Sequence, residues 1–350
     1  MWKKVEYTKS EINEAGRKIS NKNISLEQRN KYLAIIDNWR AAHAYPTNTF
    51  AINLKHKVQH IQGAVVVQRL KRLDTIIHKL ERFPKMELYR MQDLGGCRVI
   101  VPSISDVYKI VKEMRQSSIR HIEHNYKDYI QMPNPNTGYR GYHLIYKYNS
   151  DKTTDYNGLQ VEIQIRSQLQ HVWATAVETV GIFTDNELKF NSGSEEWLEF
   201  FKITSAFFAI KEKSEIVDGV PTNIYELYDR WTYLLKKLDV ISTLGTIGMA
   251  TSQYGHYCKQ KSRKKGYYLI KLHLKNLNIE IQTFPNMDAA TRAYNEFEKN
   301  DTGAQWNGVL VSAQSYEMLL DAYPNYFLDL RKFLEEISII KDQYSLISDD

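Results

Sequence analysis

Residues 158–181, GLQVEIQIRSQLQHVWATAVETVG, alternate apolar and polar side chains through Val161–Arg166 and then change period. A strand points successive side chains to opposite faces, so Val161, Ile163 and Ile165 share one side and Glu162, Gln164 and Arg166 the other. A half-solvated edge strand would account for the alternation alone. An acid, an amide and a base in one row is also what a polar site requires. From about Gln168 the spacing becomes helical. The chain must therefore build a sheet with one buried face, and the other segments decide what lies on the second face.

The first ninety residues read as helical. Ser25 is a suitable N-cap for a helix marked by Leu26, Leu33, Ile36 and Arg40. Pro46 interrupts that pattern, and a second helix is expected over residues 51–62. A third carries RLDTIIHKLERF, with Leu73, Ile76, Ile77 and Leu80 as its apolar stripe. After Pro84 the period shortens. GCRVIVP (96–102) reads as a buried strand, and SDVYKIVKEMRQ as a helix capped by Ser105 with Val107, Ile110, Val111 and Met114 on one face. KDYIQM and YHLIYKYN read as strands joined by the turn-rich PNPNTGYRG.

Residues 195–242 read as a long helical region, and the Gly/Ser/Thr-rich STLGTIGMATSQYG as a junction. The order predicts an α+β domain over residues 1–242, a mixed β-sheet flanked by helices. A small β-β-α-β-α domain is expected over residues 243–350.

A hydrophobic fraction of 43% with 25% charged residues suits two globular cores in 350 residues. No apolar run approaches the roughly 20 residues of a membrane span, and the opening MWKKVEYTKSEINEAGRK lacks an apolar signal segment. Two cysteines make no disulfide framework and fit a cytoplasmic location, and His256 with Cys258 are too few for a structural zinc. The net charge of +6 is concentrated from Lys55 to Arg82 and in KQKSRKK (259–265), which favours phosphate-bearing partners over membranes.

Four segments carry candidate chemistry. QRLKRLDTIIHKLER places Arg69, Lys71, Arg72, Lys79 and Arg82 where a helix would gather cations on one face, suited to a polyphosphate or simply to solvent. In MQDLGGCRVIV, Asp93 precedes Gly95 and Gly96 at the start of a strand, a place for a carboxylate that holds Mg²⁺ near phosphates. KDYIQMPNPNTGYRGYHLIY presents Tyr139 for base stacking, with Lys127, Arg140 and His143 nearby in sequence. Glu162, in the opening stretch, would pair with Asp93 to share a metal or act as a base.

In order, RLKRLDTIIHKLER, DLGGCRVIV, KDYIQMPNPNTGYRGYH and VEIQIRSQLQHVWAT resemble the motifs of the RelA/SpoT nucleotide pyrophosphokinase domain. The resemblance implies a nucleotidyltransferase-like synthetase fold that moves pyrophosphate from ATP to a ribose 3′-hydroxyl with Mg²⁺. It assigns Arg69, Lys71, Arg72, Lys79 and Arg82 to ATP, and Asp93 and Glu162 to metal and catalysis. Lys127, Tyr139, Arg140, His143, Gln164 and Arg166 fall on the acceptor side. Family members carry a basic residue after the acceptor-loop proline, where Asn134 stands here.

NWRAAHAYPTNTF and LQHVWATAVETVGIF resemble the toxic branch of the small alarmone synthetases, in particular the fused toxin–antitoxin group called CapRel. That likeness implies tRNA, through its terminal adenosine, as the acceptor. It also implies inhibition by the C-terminal domain through Tyr323 and Tyr326 of YPNY, and a phage structural protein as trigger, with a monomer favoured. Synthesis of (p)ppGpp or (p)ppApp is the alternative.

Overall fold

A computed structural model of the chain describes residues 2–21, 23–183, 195–245, 266–273, 278–300, 306–313 and 330–345. Three helices lead: α1 (Lys9–Lys18), α2 (Leu26–Ala42) and α3 (Ala44–Val58). Ser25 caps α2 in a reciprocal box with Gln28, as expected. Pro46 falls in the first turn of α3, where a backbone N–H has no helical acceptor to lose. The proline thus helps start a helix, and α3 begins well before residue 51.

The expectation that the first ninety residues are all helical fails at VVVQRL, which forms strand β1 (Val65–Leu70). Three consecutive β-branched residues disfavour helix and suit a pleated surface. Helix α4 (Leu73–Arg82) follows, then β2 (Gly95–Val101) and α5 (Ile104–Gln116). Ser103 caps α5, boxed with Asp106, two residues before the expected Ser105. Strands β3 (Ile122–Asp128), β4 (Tyr142–Lys147) and β5 (Gln160–Ser167) come next, then α6 (Gln168–Phe183). Strand β3 ends at Asp128, whose Oδ1 accepts from the amides of Ile130 and Gln131, so IQM turns where a strand was expected to continue.

The five strands form one mixed sheet in the order β1-β2-β5-β4-β3. Strands β2 and β5 run parallel, and the other pairs are antiparallel. One face, with Cys97, Val99, Val161, Ile163, Ile165, Leu144 and Tyr146, is buried under the N-terminal helices in a core that includes Trp39, Phe50, Leu54, Ile110 and Met114. The opposite face is divided. At one end Val65, Val67 and Ile100 join a second core with α6 and two further helices, α7 (Glu195–Glu212) and α8 (Ile224–Lys237). These two replace the single helical region expected over 195–242, and the break follows Glu212, where Lys213 takes a left-handed φ of 54°.

The C-terminal part keeps the expected order: β6 (Gly266–His273), β7 (Ile279–Phe284), α9 (Met287–Asn300), β8 (Trp306–Ala313) and α10 (Arg331–Ser345). Its three strands form a separate antiparallel sheet, β7-β6-β8. Leu269 and Leu310 pack on Ala290 and Tyr294 of α9. Tyr268, Ile270, Leu272, Val309 and Val311 face the other way, into the core that holds Val65, Phe201 and Phe333. The two sheets therefore share one apolar core. Tyr323 and Tyr326, the KQKSRKK cluster, His256 and Cys258 lie outside the described residues. Among the described residues no helix is long and apolar enough to cross a membrane.

Candidate active site

The pairing registers explain why one end of the divided face is polar. Arg69 lies opposite Gly96, Gly96 opposite Glu162, and Arg98 opposite Gln164. His143 lies opposite Gln164, and Lys127 opposite His143. Because side chains on paired positions share a face, Arg69, Arg98, Glu162, Gln164, His143 and Lys127 form one polar row across five strands. A cleft of about 890 Å³ opens over this row. Its walls come from the Phe83–Asp93 segment, from Tyr129 and Tyr139 of the loop after β3, and from Trp173, Ala174 and Val177 of α6.

Asp93 sits at one side of the cleft, three residues before Gly96. Its carboxylate accepts from Lys71 Nζ at 2.8 Å and from Lys79 Nζ at 3.0 Å. Burial alone would raise this carboxyl, but the two ammonium groups outweigh it and hold the group at about 2. Burial in turn lowers Lys71, and Asp93 offsets part of that effect. Gly95 serves packing more than metal access: a Cβ there would collide with Thr47 Oγ1 of α3.

Glu162 faces the same cleft from β5 with both oxygens engaged. Oε1 accepts from His143 Nδ1 at 3.0 Å and Oε2 from Gln164 Nε2 at 2.8 Å. Burial raises Glu162, and the neighbouring imidazole more than compensates, so the carboxyl stays below its ordinary range. Burial lowers His143, but Tyr139 and Glu162 raise it further, to about 9. Tyr139 lines the cleft with its hydroxyl 2.6 Å from His143 Nε2. The Arg166 guanidinium lies over the Tyr139 ring, 5.1 Å from its centroid.

The sites expected from sequence are thus brought together in part. Arg69, Lys71, Lys79, Asp93, Lys127, Tyr139, His143, Glu162, Gln164 and Arg166 all line the cleft. Arg72, Arg82 and Arg140 do not. Because β1 replaces helix, Arg69 projects from a strand, Lys71 from the connection, and Arg72 occupies the N-cap of α4. The single helical face of cations does not exist. Arg82 lies over the Phe83 ring. Arg140, expected at the acceptor, is 3% exposed and donates to Glu212 at 2.7 Å and to Ser214 at 2.5 Å. It is a clamp for the loop.

Arg98 was missed. It lines a recess with Arg69, Lys71, Asp93 and Glu162. Its signal was a lone cation inside GCRVIV, which a reading as a strand buried on both faces passed over.

Two carboxylates among cations, on a sheet face with aromatic walls, have the charge to neutralise a polyphosphate and the surfaces to stack a planar ring. Part of the chain is similar to known proteins. Residues 68–184 match the family model described as "Region found in RelA / SpoT proteins". The GTP pyrophosphokinase YwaC of Bacillus subtilis is 27% identical over 180 residues, covering 47% of this chain and 85% of that protein. The GTP pyrophosphokinase YjbM of the same organism is 34% identical over 123 residues, covering 35% of this chain and 57% of that protein. Among solved structures, small alarmone synthetase 1 from Bacillus subtilis matches with a TM-score of 0.42 at 22% identity, over 53% of this chain and 93% of that one. The sequence matches support the RelA/SpoT family for this region.

Proposed function

We propose that the chain transfers pyrophosphate from ATP to the 3′-hydroxyl of an acceptor ribose. The observation that carries this reading is the meeting of Asp93, Glu162, Lys71, Lys79 and Arg69 in one cleft. In the reaction the 3′-oxygen bonds to the β-phosphorus, the bond from that phosphorus to the α,β-bridging oxygen breaks, and AMP leaves. Glu162 takes the hydroxyl proton as His143 and Gln164 hold its carboxylate in place. Arg69, Lys71 and Lys79 neutralise phosphate charge, the two lysines turning from Asp93 to the substrate.

Among the described residues no three His, Cys, Asp or Glu gather into a metal cage. Mg²⁺ needs only one or two carboxylates when phosphates and water complete its shell, so the pair of acids fits it. Asp93, with Glu162 beside it, would hold that ion, which when bound neutralises charge developing on the transferred phosphates.

For the acceptor we favour the terminal adenosine of tRNA over a guanosine nucleotide. Asn134 lines the cleft where the resemblance expects a cation for acceptor phosphates. Its side-chain oxygen is committed to the loop, accepting from the amides of Asn136 and Thr137. A tRNA end offers no 5′-diphosphate to bind there. Lys127 and Arg166, which also line the cleft, favour the second reading, synthesis of (p)ppGpp or (p)ppApp. Likeness to fused toxin–antitoxin proteins extends the first reading to anti-phage defence, with Tyr323 and Tyr326 blocking the ATP side until a phage structural protein engages the C-terminal domain.

Incubation with γ-labelled ATP and tRNA, GDP or GTP separates the readings. Label on tRNA is expected, and Glu162→Gln should abolish it. Label on guanosine nucleotides supports the second reading, and transfer that survives in the variant removes Glu162 from the chemistry.

A further inference from the structure

A ring that only stacks on a base has no use for a hydroxyl. Phenylalanine offers the same π-face, and a partly buried phenol costs free energy unless it is hydrogen-bonded. The Tyr139 hydroxyl is bonded twice, to His143 Nε2 at 2.6 Å and to Arg166 Nε at 3.2 Å. Each contact leads onward. His143 Nδ1 reaches Glu162 Oε1 at 3.0 Å, and Arg166 Nη2 donates to Gln164 Oε1 at 3.2 Å. Gln164 Nε2 then donates to Glu162 Oε2 at 2.8 Å. The five side chains close a ring of hydrogen bonds that starts at the Tyr139 hydroxyl and meets at the Glu162 carboxylate.

We propose that the Tyr139 hydroxyl is a positioning group for Glu162, acting through His143, so that the platform for the acceptor base and the acid that meets its ribose are one coupled unit. The inference rests on the pyrophosphate-transfer reading given above. An ionised carboxylate can only accept, so the bond to Glu162 requires His143 to carry a proton on Nδ1. The orientation of the imidazole is fixed by what Nε2 finds on its other side, and that is the phenol oxygen. Without the oxygen, His143 is free to turn and Glu162 loses one of its two donors. Gly141 shows how closely this corner is built: its φ is 152°, and a Cβ there would stand 3.1 Å from the Tyr139 hydroxyl. A platform that exists only to stack would not need its oxygen held between a cation and an imidazole.

The test is Tyr139→Phe, which keeps the ring and removes the oxygen. Steady-state transfer with the full-length protein should show kcat reduced roughly tenfold to a hundredfold, the range of a mispositioned reacting group, with the acceptor KM within about twofold of wild type. Unchanged kcat, or a change confined to KM, overturns the proposal.

A second measurement needs no turnover. Unfolding equilibria of Tyr139→Phe, Glu162→Gln and the double variant form a cycle. Side chains joined in one network couple by about threefold or more in the unfolding constant. Additive effects overturn the proposal, as does coupling that persists unchanged in a His143→Ala background. Failure of the transfer reading is seen separately, as wild type giving no counts above a protein-free blank on any acceptor.

Discussion

On the side of the cleft proposed above for ATP, Asp93 is held by two long, flexible cations, Lys71 and Lys79, whose side chains remain 15% and 29% exposed. On the side proposed for the acceptor, Glu162 belongs to a closed ring of hydrogen bonds, and the loop carrying Tyr139 is fastened to α7. Ser205 Oγ donates to Gly138 O at 2.6 Å, and Gly138 takes a φ of 77° with Lys202 Cα only 3.1 Å from where a Cβ would stand. The two acids lie in one cleft yet are held by different means. Lysines are point charges that phosphate can draw away at little steric cost. A satisfied hydrogen-bond network resists rearrangement and keeps a reacting group aligned before substrate arrives. On the proposed reading, one side is built to be rearranged by its ligand, and the other to receive it.

The most direct way to break this contrast is Asp93→Asn. The substitution keeps the side chain's size but takes away the carboxylate that holds Lys71 and Lys79. Transfer should fall by roughly 10³-fold or more, about 4 kcal/mol. The rate at saturating ATP and acceptor gives the answer. A loss under tenfold would mean that the lysines alone manage the phosphates and that the pairing with Asp93 is incidental.

Much of this arrangement could be read from residues 158–181, because a period of two leaves no freedom over which side chains share a face. Glu162, Gln164 and Arg166 were bound to stand together once Val161, Ile163 and Ile165 were buried. Asp93 before a glycine pair was similarly legible. What the sequence hid depended on long-range pairing. VVVQRL becomes a strand because β2 offers it an edge, and only that pairing places Arg69 across from Gly96. Arg140 carries the same charge as the cations of the site, and nothing local revealed that Glu212, 72 residues later, would bury it. Arg98 was concealed by apolar neighbours on both sides.

Arg140→Ala sharpens the contrast from the acceptor side. Glu212 would keep its bond from Ser167 Oγ but lose its buried cation, and removing one partner of a buried pair costs about 3–5 kcal/mol. Urea unfolding should show a loss of that order. In whatever fraction stays folded, the KM for acceptor should rise while the KM for ATP holds. Equal shifts in both would show that the two sides are not independently supported.

The smallest expected effect concerns the floor beneath Asp93. His43 of the α2–α3 joint is 1% exposed, its Nδ1 lies 2.7 Å from the Trp39 carbonyl oxygen, and it packs against the start of β2 beside Gly95. Burial, only partly countered by that carbonyl, pushes the imidazole down to about 4. In the unfolded chain the same group takes up its proton near pH 6.5, so acid favours unfolding first. Stability therefore falls as pH drops from about 6.5 to about 4 and levels off below, where the folded state is protonated too. Asp93, held at about 2, contributes its own loss only below about pH 4, so the two windows do not overlap. Between pH 7 and 5 the wild type should lose about 2 kcal/mol more stability than His43→Gln, which has no proton to bind. Because both proteins share every other titrating group, the difference between their urea midpoints isolates His43. Parallel losses would mean that acid reaches this floor by another route, and that the ATP side rests on something other than a neutral, buried imidazole.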